Sequence, residues 1–240
     1  MNRTYFGDTR DLFKFDLVRH IMKSMPELSS FTFVPMLTES EESGGKKKSA
    51  KKDLDQALKG GKPGTQNREL LAHMKRLQEI EDDFEYFSAI RTYFQKENIL
   101  IDIFDRQQFS HEKRDHYFQS VFEALPKKSL IFLDPDTGLE ERRPDEKHLL
   151  MAEVKKIYDR MDTGSIMMIY QHFPRVTREG YVKQRCTQLE DLSGSVPLTI
   201  TDNEIIFFLL AKNPKIKSRL EIILERYANT YPALESPACD

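Results

Sequence analysis

The run Leu130-Ile131-Phe132-Leu133-Asp134-Pro135-Asp136-Thr137-Gly138-Leu139-Glu140 is the richest in groups able to do chemistry. Four apolar residues lead straight into Asp134, Pro135 and Asp136, and Glu140 follows, so three acids fall within seven positions after a stretch built for burial. Open α/β sheets bind ligands outside the carboxyl ends of their strands, which would put Asp134 and Asp136 at such a crevice. Pro135 fixes the backbone there, and Gly138 permits a sharp turn away. The acids Asp134, Asp136 and Glu140 could hold Mg²⁺ or Mn²⁺ through oxygen; the same carboxylates could orient an amino group or act as a base. The competing structural account is a strand-end turn in which Asp134 caps neighbouring amides.

A second group closes the next apolar run, Met168-Ile169-Tyr170-Gln171-His172-Phe173-Pro174-Arg175. If the two runs are neighbouring strands, Tyr170, Gln171 and His172 share the crevice of Asp134. His172 could then serve as a general base, a metal ligand or a hydrogen-bond donor, and Arg175 could meet a phosphate. Taken alone, His172 reads as a locally satisfied loop histidine. A third group opens the chain, Tyr5-Phe6-Gly7-Asp8-Thr9-Arg10-Asp11-Leu12-Phe13-Lys14. Asp8 and Asp11 both suit the start of a helix, where a carboxylate caps free amides, but that role accounts for only one of them. Lys14 sits on a strongly apolar helix, either as an active-site cation or with its ammonium snorkelling to water.

Positioning these groups falls to alternating strands and helices. Residues 31–37, 99–104, 129–134 and 165–170 read as buried strands. Residues 11–23, 116–125 and 149–161 carry helical periodicity, and Leu70, Met74, Leu77, Phe84, Phe87, Ile90 and Phe94 mark one long helix or two in series. That alternation predicts an α/β fold with a mostly parallel, Rossmann-like sheet. Residues 196–201 and 204–211, joined by Asp202-Asn203, predict a closing antiparallel hairpin, and 216–227 a last helix. Residues 1–231 are therefore expected to form one domain. A lysine-rich flexible insertion is expected at 39–64, as a solvated linker or a basic flap, and a loose tail at 232–240.

Composition excludes several classes. Lys and Arg number 37 against 39 Asp and Glu, so no global basic field exists and any nucleic-acid surface must be local. No apolar stretch is long enough to span a bilayer, and the first residues lack a signal-peptide pattern. Cys186 and Cys239 have no metal-ligand spacing, which suggests a cytoplasmic protein with free thiols.

The spacing Gly7-Asp8, Asp11-Leu12, Lys14 resembles the Gly-Asn-x-x-Asp-Val-x-Lys element of bacterial large-subunit ribosomal RNA adenine-N6 methyltransferases. The approach from Ala124-Leu125-Pro126 to Leu133-Asp134-Pro135 resembles that family's Asp-Pro-Pro-Tyr motif. The set Tyr-Phe-Gly-Asp, Asp-Pro-Asp-x-Gly-x-Glu and Tyr-Gln-His-x-Pro-Arg is also similar to a bacterial family without an established activity. The resemblance implies a class I methyltransferase fold, S-adenosylmethionine as cofactor and nucleic acid as substrate. It makes Asp134 and Pro135 the first catalytic-motif residues and Lys14 an active-site lysine. Asp136 and Thr137 depart from the motif, and Met36-Leu37-Thr38-Glu39 is not a glycine-rich cofactor loop. Three functions follow: a methyltransferase, a Mg²⁺- or Mn²⁺-dependent nuclease or phosphoester hydrolase on the same scaffold, and a catalytically inactive nucleic-acid-binding module.

Overall fold

Apolar runs that continue on both faces of a strand demand helices on both sides of the sheet. The computed structural model, which describes residues 3–38, 54–104, 109–110, 112–174, 176–236 and 239, meets that demand. Helix α1 (Thr9–Ser24) leads into β1 (Ser30–Pro35), followed by α2 (Leu54–Lys59), α3 (Arg68–Leu77) and α4 (Asp83–Lys96). Next come β2 (Ile101–Ile103), α5 (Arg114–Ala124), β3 (Ser129–Asp134), β4 (Gly138–Leu139), β5 (His148–Leu149) and α6 (Met151–Arg160). The chain closes with β6 (Ile166–His172), α7 (Arg178–Ser193), β7 (Leu198–Thr201), β8 (Ile205–Ala211) and α8 (Pro214–Ala228).

The six-stranded sheet has the order β2-β1-β3-β6-β8-β7. The pairs β1/β2, β1/β3 and β3/β6 are parallel, whereas β8 runs antiparallel between β6 and β7. This is the Rossmann-like α/β fold with its antiparallel end, as the alternation of elements predicts. Successive side chains leave opposite faces of a strand. Phe31, Phe33 and Phe132 accordingly pack under α1, α3, α4 and α8, while Ile131, Leu133 and Ile169 pack with α5, α6 and α7. Because β1 is flanked by β2 on one side and β3 on the other, the sheet's switch point lies between β1 and β3, beside Asp134.

Of the two arrangements expected for the run from Leu70 to Phe94, the chain adopts two helices in series, broken where Asp82 caps α4 by accepting from the Glu85 amide. Other expectations are corrected. Residues 54–64 belong to the ordered fold: Leu54 and Ala57 are buried on α2, and Gly64 packs against Leu12. Residues 39–53 lie outside the described residues. Helix α7 has no counterpart in the sequence reading, because its apolar stripe is interrupted by the buried Arg185. The tail is not loose as far as Glu235, which exchanges backbone hydrogen bonds of 2.9 Å with Thr201. Cys239 Sγ lies 3.4 Å from the Pro197 carbonyl oxygen and forms a disulfide with Cys186 of α7. The cysteines therefore do not argue for a reducing compartment. Among the described residues no helix is long and apolar enough to cross a membrane.

A buried ion pair braces the crevice side. The Arg114 guanidinium donates to both Glu153 oxygens, at 2.5 and 2.6 Å, and to the His148 carbonyl at 2.7 Å. Glu153 also accepts from the Leu150 amide at 2.8 Å, so α5 and α6 together clamp the small β4/β5 sheet that follows Asp136. Removing one partner strands a buried charge. Arg114→Met is therefore expected to lower unfolding stability by about 3 kcal/mol, read from urea denaturation, with the loss shrinking when Glu153→Leu is added.

Candidate functional site

Gly7 sets the geometry of the N-terminal element. Its φ of +71° lies in the left-handed region, and a Cβ there would come within 2.6 Å of the Met74 carbonyl oxygen. The turn aims Asp8 and Asp11 inward. Asp8 Oδ1 caps α1 by accepting from the Arg10 and Asp11 amides at 2.8 and 3.1 Å. Asp11 Oδ2 accepts from the Gly7 amide at 2.9 Å and from the Tyr86 hydroxyl at 2.7 Å.

Three residues past Asp11 on α1, Lys14 reaches the end of β3. Its Nζ lies 2.9 and 3.0 Å from the two Asp134 oxygens and 3.3 Å from Asp11 Oδ1. It also sits 4.2 Å from the centroid of the Tyr170 ring, a cation–π contact. Burial works against the ammonium, but Asp134 and then Asp11 outweigh it and hold the Lys14 pKa above its ordinary value. Burial holds the Asp134 pKa above its ordinary value, with Lys14 opposing. The two-oxygen geometry is that of an ion pair. Burial likewise raises the Tyr170 and Tyr86 hydroxyls.

The sequence-derived residues distribute unevenly around this pair. Lys14, Pro135, Asp136 and Tyr170 line a cavity of about 30 Å³, together with Tyr5, Asp8, Arg10 and Asp11. Asp134 is wholly buried behind Lys14 and is not among that cavity's lining residues. Tyr5, Arg10 and Asp136 also line an adjoining groove of about 530 Å³, which His172 borders with Lys147 and His148. His172 is thus near the Asp134 crevice, its Nδ1 donating to the Phe173 carbonyl at 3.0 Å. Gln171 is a fastener. Its Oε1 accepts from the Leu139 amide at 2.7 Å, and its Nε2 donates to the carbonyls of His172 at 2.6 Å and Thr137 at 3.3 Å. Gly138, at φ +130°, is where that amide presses on the turn, since a Cβ would lie 2.2 Å from Gln171 Nε2. Arg175 lies outside the described residues.

The metal set does not assemble. Asp134 is engaged by Lys14, Asp136 accepts from the Thr38 hydroxyl at 3.2 Å, and Glu140 lines a separate groove with Arg142 and Arg185. Among the described residues no group of three or more His, Cys, Asp or Glu is placed to hold a metal ion. The cause is the turn at Pro135: β4 carries Glu140 towards α7, away from β3.

The residue that sequence reasoning undervalued is Asp8. It is 1 % exposed, lines the small cavity, and its Oδ2 is buried with no hydrogen-bond partner. Burial, then Asp11, raise its pKa to about 6, with Arg10 and Lys14 opposing. The signal was present in the surplus of acids at the helix start, two where one cap suffices.

Two stability measurements follow. In Lys14→Met, Asp134 and Asp11 become buried carboxylates without a cation, and stability at pH 7 is expected to fall by about 3–5 kcal/mol. Because both acids then favour protonation, that deficit shrinks as pH falls. For Asp8 the native carboxyl holds its proton more tightly than the unfolded one, so the charged form costs stability above about pH 6. Asparagine caps helices as well as aspartate. Asp8→Asn is expected to stabilise the fold at pH 8 by on the order of 2 kcal/mol, with the gain disappearing as pH falls from about 6 towards 4, followed by thermal melts across that range.

Comparison with known proteins leaves this geometry as the ground for any function: no protein-family model and no curated protein matches the sequence.

Proposed function

We propose that this chain is a class I methyltransferase-like protein whose crevice receives an exocyclic amino group, with nucleic acid as the substrate class. The observation that carries the reading is the buried Lys14–Asp134 pair at the switch point between β1 and β3, where this fold class places its ligands. Around it the cavity wall is rich in acceptors: the Asp8 and Asp11 carboxylates, with Asp136 on the groove side. An amino group brings N–H donors and no charge to be neutralised, which suits such a wall. Tyr170, held by Lys14 on one side, offers an aromatic surface at the same cavity.

S-adenosylmethionine would supply an electrophilic methyl group to that nitrogen. The described residues that follow β1 do not fit it. Met36 and Leu37 are buried side chains, not glycines. The Met36 amide donates to the Asp134 carbonyl at 3.1 Å, and the Leu37 carbonyl accepts from the Phe109 amide at 3.0 Å. The Pro35 carbonyl accepts from the Tyr117 hydroxyl at 2.6 Å. No contact to the cofactor is assigned. This engaged backbone favours a second reading, a binding module that keeps the amino-group crevice and uses no methyl donor.

Calorimetric titration with S-adenosylmethionine and with an adenine-containing oligonucleotide, alongside transfer of labelled methyl groups to that oligonucleotide, separates the two. Micromolar binding of both, with labelling abolished in Asp134→Asn, is the expected result for the first reading. Oligonucleotide binding without any response to S-adenosylmethionine would replace it with the second, and silence towards the oligonucleotide would remove both.

A further inference from the structure

We infer that Asp8 is the hydrogen-bond acceptor of the crevice, its Oδ2 receiving an N–H of the ligand's amino group, an assignment that rests on the amino-group reading above. Three observations converge on it. First, Asp8 is a wall residue of the cavity, whereas Asp134 is sealed behind Lys14. Second, its two oxygens divide their work: Oδ1 caps α1 through the Arg10 and Asp11 amides, and Oδ2 is buried without a partner. A buried acceptor left unsatisfied costs the fold free energy, and such orphans concentrate where a ligand is to supply the missing donor. Third, the burial and charge around it set the pH at which that oxygen is ionised.

The groups facing Asp8 come from every element around the cavity. Asp11, Arg10 and Lys14 belong to α1, Asp134 to the end of β3, Asp136 to the turn after it, Tyr170 to β6, and Tyr5 to the turn before α1. Arg10 and, to a smaller extent, Lys14 oppose the rise, but burial and Asp11 prevail, and Asp8 stands at about 6. Its ionisation, and with it the acceptor, is therefore lost as pH falls through that value.

No covalent bond changes in this contact. The amino N–H donates to the ionised Asp8 Oδ2, and protonation of Asp8 removes that acceptor. The adjoining groove of Arg10, Asp136 and His172 leads to the cavity from the open side.

The test uses the full chain and has a readout that needs no ligand. Carboxyl carbon resonances are followed by NMR between pH 4 and 8, with the Asp8 signal assigned by its disappearance in Asp8→Asn. Titration near pH 6 is expected, and a midpoint below about 4.5 would overturn the inference. Adenosine binding is then measured by calorimetry at pH 8 and pH 5. The wild type is expected to weaken by about tenfold on acidification, the factor for a ligand that needs the carboxylate of a group with a midpoint near 6. Asp8→Asn, which retains the helix cap, is expected to bind more weakly than the wild type at pH 8 and to show no such dependence. Wild-type-like binding and pH response in Asp8→Asn would sink the assignment. If adenosine binds neither protein, the amino-group reading fails and this inference falls with it, whereas wild-type-like binding in Asp8→Asn removes this inference alone.

Discussion

A lysine ammonium taken out of water loses several kcal/mol of hydration, and only a close carboxylate with good geometry repays it. The Lys14–Asp134 contact meets that condition and in doing so fixes the architecture around it. Helix α1 must lie across the switch point of the sheet for the ammonium to reach the end of β3. Asp11 must turn back towards Lys14, which it does because Gly7 and Tyr86 hold its other oxygen. Phe6 stacks on Tyr86 with ring centroids 3.7 Å apart, so the aromatic cover of the acid cluster is itself part of the core. The far end of α1 is tied in the same manner: Asp16 accepts from Asn67, Tyr227 and Tyr231, joining α1 to α3 and α8 and to the turn after α8.

The second constraint is the turn that follows Asp134. A strand that ended there and continued freely would leave Asp136 and Glu140 mobile near the crevice. Instead Gln171 holds the Thr137–Leu139 backbone from β6, possible only because Gly138 has no Cβ, and the Arg114–Glu153 pair holds β5 against it. These ties place Asp136 between the small cavity and the groove of His172 while sending Glu140 to the other side. Rigidity in the turn thus decides which acids can act together, and it separates the trio that sequence spacing suggested as a metal site.

What the sequence made legible follows the physics of each element. Strands buried on both faces announce themselves by unbroken apolar runs, so β1, β3, β6 and β8 were readable, and with them the parallel sheet and its antiparallel end. The site was readable as far as it depended on strand ends and on Lys14, an ammonium set in an apolar helix. It was not readable where pairing between distant segments decides the outcome. Gln171 looked like a crevice residue because its amide is polar, yet apart from the adjacent His172 carbonyl its partners are backbone groups about thirty positions away in the chain, at Thr137 and Leu139, invisible to spacing. Cys239 looked like a stray thiol in a polar tail, because nothing local reveals that residue 235 adds to the edge of β7. Helix α7 escaped because periodicity assumes that the inward stripe is apolar, and its stripe includes Arg185, buried against Tyr181 with Gln188 as a hydrogen-bond partner.

The cluster also explains why the helix cap and the chemistry fall on one residue. Three carboxylates, Asp8, Asp11 and Asp134, converge on a single buried ammonium, so full ionisation leaves the cluster negative in a setting that screens charge poorly. Lys14 and the Tyr86 hydroxyl attend to Asp11, and Lys14 lies close to both Asp134 oxygens, while Asp8 Oδ1 has two amides and its Oδ2 no hydrogen-bond partner. Burial and Asp11 prevail at Asp8 over Arg10 and Lys14, so excess charge is relieved there, at one of the carboxylates that line the cavity. A fold selected for stability alone would place an asparagine there, keeping the cap and removing the charge. Retaining an aspartate that resists ionisation, on the wall of the crevice at the sheet's switch point, is the pattern expected when a site gives up stability to keep a hydrogen-bond acceptor within reach of its ligand.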